Sequence, residues 1–359
     1  MDKDEHYMKI ALSLAKKGRR TIPNPRVGAV IVKNNEIIGW GYHSVFGGPH
    51  AEVVAIQSAK KDITGATMYV TLEPCNHFGK TPPCSERIIN EKIGRVVIAA
   101  SDPNPNVAGG GVARLKQAGV DVKIGVLQAA AEELNRDFNK FTSQKKPYVY
   151  LKVAATMDGK IAGSDGSAKW ITNEQSRKET HRLRAQVDGI LVGINTVLAD
   201  DPQLNVRYGY KNDNLKKIVL DSKLRLPLDA KILENPRNVI VFYSTDMKNK
   251  AETLRSKGVT LIKNDDIKID GVLRKLYDAG VYRLLVEGGG KVFSSFLREH
   301  AADELYWFTG NVLMGRGISA VENIGIDTLD NAIRLHNPRT AVFGDNTLIK
   351  GYINVYGNY

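Results

Sequence analysis

Three side chains in the first third of the chain are of the types that bind a transition metal: His50, Cys75 and Cys84. One imidazole and two thiolates supply three ligands of a tetrahedral zinc ion and leave the fourth position for water. Zinc lowers the pKa of such a water toward neutrality. Glu52 lies two residues after His50, near enough to pass protons between the water and a leaving amine. These residues predict a hydrolytic zinc site.

The order of these residues matches the signature of nucleobase deaminases. In that signature H-x-E precedes P-C-x-x-C, and the glutamate acts as general acid and base without binding the metal. One feature differs, because Cys75 and Cys84 enclose eight residues where the signature has two. The pattern therefore indicates either a different zinc site or a deaminase with an enlarged loop between its cysteines.

Two other interpretations of the cysteines remain open. A structural zinc site needs a fourth protein ligand, for which His77 is available. The chain has two cysteines, and they could form a disulfide. However, residues 1–6 are charged and precede an amphipathic segment, which does not resemble a secretory signal. We therefore expect a cytoplasmic protein with both cysteines reduced.

Length and composition predict two globular domains. A chain of 359 residues exceeds what one core usually organises, and its 42% hydrophobic and 25% charged residues are ordinary values. No apolar run approaches the roughly 20 residues that cross a bilayer, so no membrane association is expected. The net charge of +12 is spread along the chain, which favours anionic small substrates over nucleic acid.

The elements that must position the zinc ligands follow from hydrophobic periodicity. Their order predicts a layered sheet with helices on its faces. The helices are expected at 6–17, 50–61, 84–91, 112–118 and 128–141, and the strands at 27–33, 36–43, 66–72, 95–100 and 120–125. His50 and Cys84 then stand at helix starts, where the helix dipole favours thiolate and carboxylate.

A polar segment ending at Pro147 predicts a domain boundary, giving domains 1–146 and 147–359. The second half alternates strands with helices, which indicates a second α/β domain. Its strands are expected at 148–155, 189–194, 217–221, 238–243, 259–262 and 281–287. Glycines 288–290 follow the last of these and open a helix over 291–297, an arrangement that suits a pyrophosphate but is weak evidence alone.

Several motifs together resemble the bifunctional riboflavin-biosynthesis deaminase/reductase family. In the first half they are N-P-R-V-G-A-V from Asn24, H-A-E from His50, T-L-E-P-C-N-H-F-G-K-T-P-P-C from Thr71 and D-P-N-P from Asp102. In the second half they are K-V-A-A-T-M-D-G-K, K-W-I-T, L-A-D-D-P and V-E-G-G, which begin at Lys152, Lys169, Leu198 and Val286. The long loop between the cysteines is this family's own variant.

The resemblance implies a cytidine-deaminase-like α/β/α layered domain followed by a dihydrofolate-reductase-like α/β domain. The first would use one zinc ion to replace the 2-amino group of a phosphoribosylated diaminopyrimidinone by oxygen. The second would use NADPH to reduce the ribosyl group to ribityl. The family also tends toward homo-oligomers, so a homo-oligomer is expected.

The resemblance also implies site residues. Those that would hold the deaminase substrate are Asn24, His43, Lys80, Asp102 and Asn104. Those that would hold the reductase substrate are Ala168, Arg184, Leu204, Arg207 and Glu287. Those that would hold the nicotinamide cofactor are Ala154, Trp170, Thr196, Asp200, Ser222, Gly288, Gly289, Gly290, Lys291, Val292, Phe293, Ser294 and Ser295.

Several of these residues have a second interpretation. Asn24, Asp102 and Asn104 stand in sequences that also favour turns. The two arginines suit a phosphate bidentately, but a solvated helix face or a surface salt bridge would also explain them. Position 168 is commonly serine in the family, so Ser167 or a backbone group could replace the missing hydroxyl.

Lys152 and Asp200 are candidate catalytic residues of the reduction, because they could polarise or protonate the substrate while the cofactor supplies the hydride. Two competing functions remain. A polynucleotide deaminase would use the second half for RNA recruitment, although that half lacks recognisable RNA-binding motifs. A non-catalytic, zinc-stabilised dinucleotide-binding protein would have no use for Glu52.

Overall fold

A computed structural model of the chain describes residues 2–353 apart from 20, 77–81, 105–107, 169, 246, 265 and 266. The chain divides into two compact units, Met1–Lys145 and Lys146–Tyr359. The sequence places its boundary between residues 146 and 147. Among the described residues, every helix is too short or too polar to cross a lipid bilayer.

The first unit is built around one five-stranded sheet. Its helices are α1 Lys3–Ala15, α2 Ala51–Ser58, α3 Cys84–Asn90, α4 Gly110–Gln117, α5 Gln128–Leu134 and α6 Arg136–Gln144. Its strands are β1 Gly28–Lys33, β2 Glu36–Tyr42, β3 Thr67–Leu72, β4 Arg95–Ala100 and β5 Asp121–Ile124. The strand order is β2-β1-β3-β4-β5, in which β1 is antiparallel to both neighbours and β3, β4 and β5 are parallel.

Helices cover both faces of this sheet. Ala29 and Ile31 of β1 lie in one apolar cluster with residues of α2. Gly28 belongs to the opposite face, where a Cβ atom would lie 2.1 Å from the carbonyl oxygen of Ala11 in α1. Burial on both faces explains why β1 and β4 are largely apolar along their length and do not alternate apolar with polar residues. The predicted layered α/β/α arrangement is confirmed.

The helix predicted over 128–141 is wrong in one respect, because the structure divides it at Asn135 into α5 and α6. The Asn135 Oδ1 accepts the Arg26 backbone N–H at 2.9 Å, and its Nδ2 donates to the Arg26 carbonyl at 2.9 Å. This side chain therefore pairs with another segment as a strand backbone would. Periodicity alone cannot show that break, because the partner lies 109 residues away.

The second unit contains a nine-stranded sheet. Its helices are α7 Glu174–Arg184, α8 Ile194–Asp200, α9 Lys248–Ser256, α10 Ile269–Asp278 and α11 Gly290–Arg298, with 3-10 turns at Lys231–Glu234 and Pro236–Asn238. Its strands are β6 Tyr148–Ala155, β7 Lys160–Ala162, β8 Gly189–Gly193, β9 Lys216–Leu220, β10 Val239–Tyr243, β11 Thr260–Lys263, β12 Arg283–Val286, β13 Glu304–Thr309, β14 Ile318–Ser319, β15 His336–Phe343 and β16 Asn346–Tyr352.

The strand order in the large sheet is β11-β10-β9-β8-β12-β6-β13-β16-β15. The first seven strands in this order, which end with β13, run parallel to one another, so their carboxyl ends share one edge. Strand β16 is antiparallel to β13, and β15 is antiparallel to β16. Alternate residues of β8 enter two apolar clusters, with Ile190 and Val192 in one and Leu191 in the other. The six predicted strands are present. Strands β13, β14, β15 and β16, all after residue 300, have no counterpart among the strands predicted from the sequence.

Candidate active sites

The three predicted zinc ligands lie together in the first unit. His50 is the residue before α2, Cys84 is the first residue of α3, and Cys75 follows β3 after Glu73 and Pro74. The His50 Nδ1 lies 3.3 Å from the Cys84 Sγ and 3.6 Å from the Cys75 Sγ. All three ligand atoms lie within 4.8 Å of one another.

These separations fit a tetrahedral zinc ion. Bonds of about 2.0 Å to nitrogen and about 2.3 Å to sulfur separate tetrahedral ligand atoms by roughly 3.6 Å. Both cysteines are free thiols, so the disulfide interpretation is wrong. His77, the fourth ligand of the structural-zinc interpretation, lies outside the described residues.

The charges at this cluster also favour a cation. The hydrogen bond with the Cys84 thiol is the main cause that lowers the pKa of Cys75, and the nearby His50 imidazole adds to it. The same contact with Cys75, together with burial, raises the pKa of Cys84. Without a cation, the two sulfurs therefore oppose a second ionisation at this position. A divalent metal would stabilise both thiolates.

Glu52 lies beside the three ligands in the first turn of α2. Its side chain is buried, and burial raises the pKa of its carboxyl group, while the His50 imidazole lowers it. The carboxyl group also forms a hydrogen bond with the Cys84 thiol. A carboxyl group with a raised pKa beside a metal site is suited to accept and return a proton.

Asn24 and His43 form a connected pair next to the cluster. The His43 Nδ1 lies 3.0 Å from the Pro49 carbonyl oxygen, and its Nε2 lies 3.2 Å from the Asn24 Nδ2. Donation from Nδ1 to the carbonyl and from Asn24 to Nε2 requires the neutral ring, and burial lowers the pKa of His43 accordingly. The rings of His43 and His50 are 5.7 Å apart. The structure thus brings both predicted substrate residues to the zinc ligands.

Asp102 and Asn104 lie in the loop after β4. The Asp102 Oδ1 accepts the Asn104 backbone N–H at 2.8 Å. This contact is typical of a turn, which is one of the two roles that the sequence suggests for these residues, the other being substrate binding. Lys80, the predicted phosphate ligand, lies outside the described residues. The substrate roles of all three residues stay predictions.

Glu73 is a buried residue of this site that is not among the site residues predicted from the sequence. Its Oε1 accepts the backbone N–H groups of Gly111 and Val112 at 3.1 and 3.2 Å. Its Oε2 accepts those of Gly109 at 3.1 Å and Asp102 at 3.5 Å. The Glu73 carboxylate therefore binds both the amino end of α4 and the loop after β4. Glu73 itself lies only two residues before the zinc ligand Cys75. A signal was available, because an acidic residue inside T-L-E-P-C must find donors when buried.

In the second unit, the predicted reductase residues gather at the carboxyl ends of the parallel strands. Ala154 lies near the end of β6, Glu287 follows β12, Thr196 lies in α8 after β8, and Ser222 follows β9. Ligands bind open α/β sheets at this edge. Asp200 is the last residue of α8.

Two of the predicted substrate residues bind each other. The Arg184 Nε and Nη2 donate to the Glu287 carboxylate at 2.7 and 2.9 Å, and Nη1 donates to the Asn205 carbonyl at 3.0 Å. The side chains are only 12% and 9% exposed, so the surface salt bridge considered for Arg184 is wrong. Although burial would raise the pKa of Glu287, Arg184 and Lys152 lower it to about 2.

Lys152 belongs to this charged group. It lies on β6 with its Nζ 5.8 Å from the centre of the Phe308 ring. Burial lowers the pKa of the Lys152 ammonium group, Glu287 opposes that shift, and Arg184 reinforces it. A lowered pKa makes a lysine ammonium group a better proton donor.

The glycine turn after β12 leaves little room for side chains. A Cβ at Gly288 would lie 2.7 Å from the Val292 Cβ, and one at Gly290 would lie 2.4 Å from the Ser319 carbonyl oxygen. Gly289 is the residue before α11, and a Cβ there would lie 3.7 Å from the Thr196 Oγ1. This turn presents backbone N–H groups at a helix start, as a pyrophosphate requires.

The other predicted cofactor residues differ in exposure. The side chains of Phe293 and Ser294 are buried, and the Ser294 Oγ accepts the Glu322 backbone N–H at 2.7 Å. The Ser295 hydroxyl donates to the Lys291 carbonyl. Trp170 is 68% exposed and stacks with the Arg177 guanidinium 4.3 Å from its ring centre.

The remaining predicted substrate residues lie in loops, with Ala168 before α7 and the other two after α8. Leu204 and Arg207 lie in the loop after α8, where Leu204 is buried and has a φ of 48°. The Ala168 methyl group offers no hydrogen bond. The Ser167 hydroxyl, its possible replacement, donates to the Asp165 carboxylate at 2.6 Å.

Comparison with known proteins decides between the interpretations. Residues 147–349 match the family model described as the RibD C-terminal domain, and residues 1–100 match the cytidine and deoxycytidylate deaminase zinc-binding region. The riboflavin biosynthesis protein RibD of Aquifex aeolicus is 43% identical over 347 residues, which cover 96% of this chain and 97% of that protein. The chain belongs to the RibD family.

Other RibD proteins support the same assignment. RibD of Escherichia coli K12 is 40% identical, covering 92% of this chain and 94% of its own. The structure of Acinetobacter baumannii RibD, form 1, has a TM-score of 0.88 at 38% identity and covers 98% of this chain and 99% of that chain. A diaminohydroxyphosphoribosylaminopyrimidine deaminase/5-amino-6-(5-phosphoribosylamino)uracil reductase from Thermotoga maritima has a TM-score of 0.84 at 38% identity, with coverages of 98% and 99%.

The resemblance drawn from the sequence motifs is thereby confirmed, and with it the expected pair of domain types. The match over residues 147–349 excludes the hypothesis that the second half is an RNA-recruitment module.

Proposed function

We propose that this chain carries out two consecutive steps of riboflavin biosynthesis. Its first unit deaminates 2,5-diamino-6-(5-phosphoribosylamino)pyrimidin-4(3H)-one with zinc, and its second unit reduces the ribosyl group of the product to ribityl with NADPH. The observation that carries this proposal is the cluster of His50, Cys75 and Cys84 beside Glu52, in a chain whose second half matches the RibD reductase model.

For the deamination, zinc held by the three ligands would supply a water nucleophile that is active at neutral pH. Glu52 accepts one proton from the attacking water and passes it to a ring nitrogen. It then takes the remaining proton from the hydroxyl group formed on the ring carbon and gives it to the amino group, so that the C–N bond breaks, ammonia leaves and a carbonyl remains. Asn24 and His43 orient the pyrimidine, because their amide and imidazole groups lie at the ligand cluster. Lys80 binds the phosphate, and Asp102 and Asn104 border the ribose.

For the reduction, bound NADPH would supply a hydride to the open imine or aldehyde form of the ribose. The amides of Gly289 and Gly290 bind the cofactor pyrophosphate at the start of α11. Lys152 donates the proton to the substrate nitrogen or oxygen, since burial favours its neutral product form. Glu287 fixes the Arg184 side chain through their ion pair, and Arg207 binds the substrate phosphate.

We further propose a cytoplasmic homo-oligomer. Cytoplasmic conditions keep the two thiols reduced for zinc. Strand β15 supports self-association, because it borders the large sheet with one paired neighbour and seven of its eight residues are exposed. Pro338, Arg339 and a register irregularity interrupt the start of this edge strand, whereas Thr340 to Phe343 pair regularly with β16 and leave backbone groups on the other side for another chain.

The test is an assay of the purified, zinc-loaded chain with NADPH and the diaminopyrimidine substrate. We expect ammonia release and a matching loss of the absorbance of reduced nicotinamide. Ammonia release without NADPH oxidation would restrict the proposal to the first unit. Neither signal would contradict the proposal as a whole.

A further inference from the structure

His181 is a buried titratable residue that the proposed reaction does not use. It lies on α7, one helical turn before Arg184, and its side chain is buried. Its Nδ1 accepts the backbone N–H of Arg207 at 3.0 Å. Its ring packs edge-on against Tyr208 at 5.1 Å. His181 therefore contacts the segment that carries two predicted substrate residues.

Residues 201–208 directly follow α8 and form the 201–208 loop. Helix α7 holds this loop at two backbone positions, because Arg184 donates to the Asn205 carbonyl and His181 accepts from the Arg207 N–H. Leu204 and Tyr208 have φ values of 48° and 60°. Such left-handed conformations are unfavourable for residues other than glycine and persist where surrounding contacts maintain them. The two contacts from α7 are placed to do so.

The contact with Arg207 requires a neutral ring, because only an unprotonated Nδ1 accepts a hydrogen bond. Burial and the neighbouring charges of Arg184 and Arg207 lower the pKa of His181 to about 4. The ring is consequently neutral under physiological conditions, with its proton on Nε2. A histidine kept neutral among cations is poorly suited to bind a phosphate itself, which separates its role from that of the arginines.

We propose that His181 is a positioning residue for the reductase step: it anchors the 201–208 loop to α7 and so holds Leu204 and Arg207 where the phosphoribosyl group binds. This inference rests on the proposed reductase function. It predicts that His181 acts on substrate affinity through the backbone of Arg207 and does not take part in hydride or proton transfer.

Two substitutions separate the acceptor from the ring. His181→Phe keeps a ring and removes the acceptor, so the Arg207 N–H loses its hydrogen bond to α7. His181→Asn removes the ring but keeps an oxygen close to the position of Nδ1. In the zinc-loaded full chain, we expect His181→Phe to raise KM for the aminouracil substrate about tenfold while kcat changes less than about twofold. His181→Asn should restore KM to near the wild-type value.

A double-mutant cycle tests whether the effect passes through Arg207. If His181 positions Arg207, the KM increase from His181→Phe should be much smaller in an Arg207→Ala background. Additive effects on KM would overturn the inference. It would also be overturned by an unchanged KM, by a fall in kcat alone, or by loss of NADPH binding in His181→Phe, which would indicate a general structural role.

Ammonia release by the same variants is the internal control, because the deaminase residues lie in the other unit. Failure of the proposed function gives a different result, since wild-type protein would then oxidise no NADPH with this substrate. Normal wild-type reduction with unaltered His181→Phe kinetics would refute only the role of His181.

Discussion

At the residue scale, neighbouring side chains of the first site have different functions: His50 is placed to bind the metal, and Glu52 is placed to transfer protons. His50 offers its Nδ1 to the metal position, whereas Glu52 lies in the first turn of α2 and contacts the Cys84 thiol. A carboxylate oxygen is a harder ligand than the two sulfurs and is not needed to complete the site. Its place beside the ligands suits proton transfer.

Glu52→Gln should therefore keep zinc and lose deamination. The amide preserves size and hydrogen bonding but cannot carry the proton, so we expect kcat for ammonia release to fall by about 10²- to 10⁴-fold. Bound zinc is measured by metal analysis, and NADPH oxidation with the deaminated substrate serves as the control. Near-normal ammonia release would show that another group transfers the proton.

Lys152 and Asp200 were equal candidates in the sequence, and the structure distinguishes their surroundings. Lys152 interacts with Glu287 and Arg184, whereas Asp200 is exposed at the end of α8. We expect Lys152→Met to lower kcat for NADPH oxidation about 100-fold, and Asp200→Asn to change it less than about threefold. Steady-state assays with the deaminated substrate check this. Equal effects in the two variants would contradict the assignment of proton donor to Lys152.

At the scale of elements, contacts between distant segments hold the predicted motifs in place. Asn135 pairs with both backbone groups of Arg26, two residues after Asn24, and thereby separates α5 from α6. The Glu73 carboxylate likewise accepts backbone N–H groups at the start of α4 and in the loop after β4. In both cases a buried side chain completes the hydrogen bonding of a segment that no neighbouring strand could reach.

Asn135→Ala should destabilise the first unit and weaken its substrate binding. Loss of two buried hydrogen bonds predicts a decrease of about 2 kcal/mol in the free energy of unfolding and an increased KM for deamination, because the Asn24 loop loses its support. Denaturant unfolding and ammonia-release kinetics measure both effects. Ser143→Ala, which removes an exposed hydrogen bond within α6, is the matched control and should change stability by less than about 0.5 kcal/mol.

Glu73→Gln should weaken zinc binding without touching a ligand. The amide nitrogen replaces one acceptor oxygen, so two of the backbone N–H groups that Glu73 now binds face a donor, and the segment before Cys75 shifts. We expect the affinity for zinc to fall by about 10- to 100-fold, as for other residues that orient metal ligands. Competition with a chromophoric chelator measures it. Unchanged affinity would mean that the strand end is held without this carboxylate.

Local motifs and periodicity were sufficient to predict the zinc ligands, Glu52 and the strand segment Tyr148–Ala155, because those features are encoded over short spacings. Pairs such as Asn135 with Arg26, or His181 with Arg207, are set by tertiary packing and leave no repeating pattern. Strand β15 was missed for another reason: seven of its eight residues are exposed, so the apolar signal that identifies buried strands is absent.

At the scale of the whole molecule, two units with separate cores imply two separable stabilities. The first unit has a charged network that connects α1 with the sheet. Asp4 is buried and binds Arg95 of β4 at 2.9 Å, Lys123 of β5 at 2.7 Å and the Tyr69 hydroxyl at 3.0 Å. The hydrogen bond from Arg95 is the main cause that holds the pKa of Asp4 well below its usual range.

This network predicts an acid-sensitive stability in the first unit. Because the pKa of Asp4 is lower in the folded chain than in the unfolded chain, its contribution is complete above the unfolded value of about 3.9. It is lost as the pH falls below that value and through the folded pKa. Asp4→Asn should therefore cost about 2 kcal/mol near pH 7, and the difference from wild type should shrink as the pH is lowered below about 4.

Amide hydrogen exchange in β4 of the full chain provides the measurement, because it reports on the first unit while the second unit serves as an internal reference. Protection of β12 in the second unit should be equal in both proteins at every pH. If the difference in β4 protection between wild type and Asp4→Asn stayed constant down to the lowest accessible pH, the contribution of Asp4 would not depend on its charge. Asp4 would then act through its shape and hydrogen bonds, which the asparagine alters whether or not Asp4 is protonated in the wild type. A difference that shrinks in acid assigns the contribution to the carboxylate charge, which joins the amino-terminal helix to the sheet that carries Cys75.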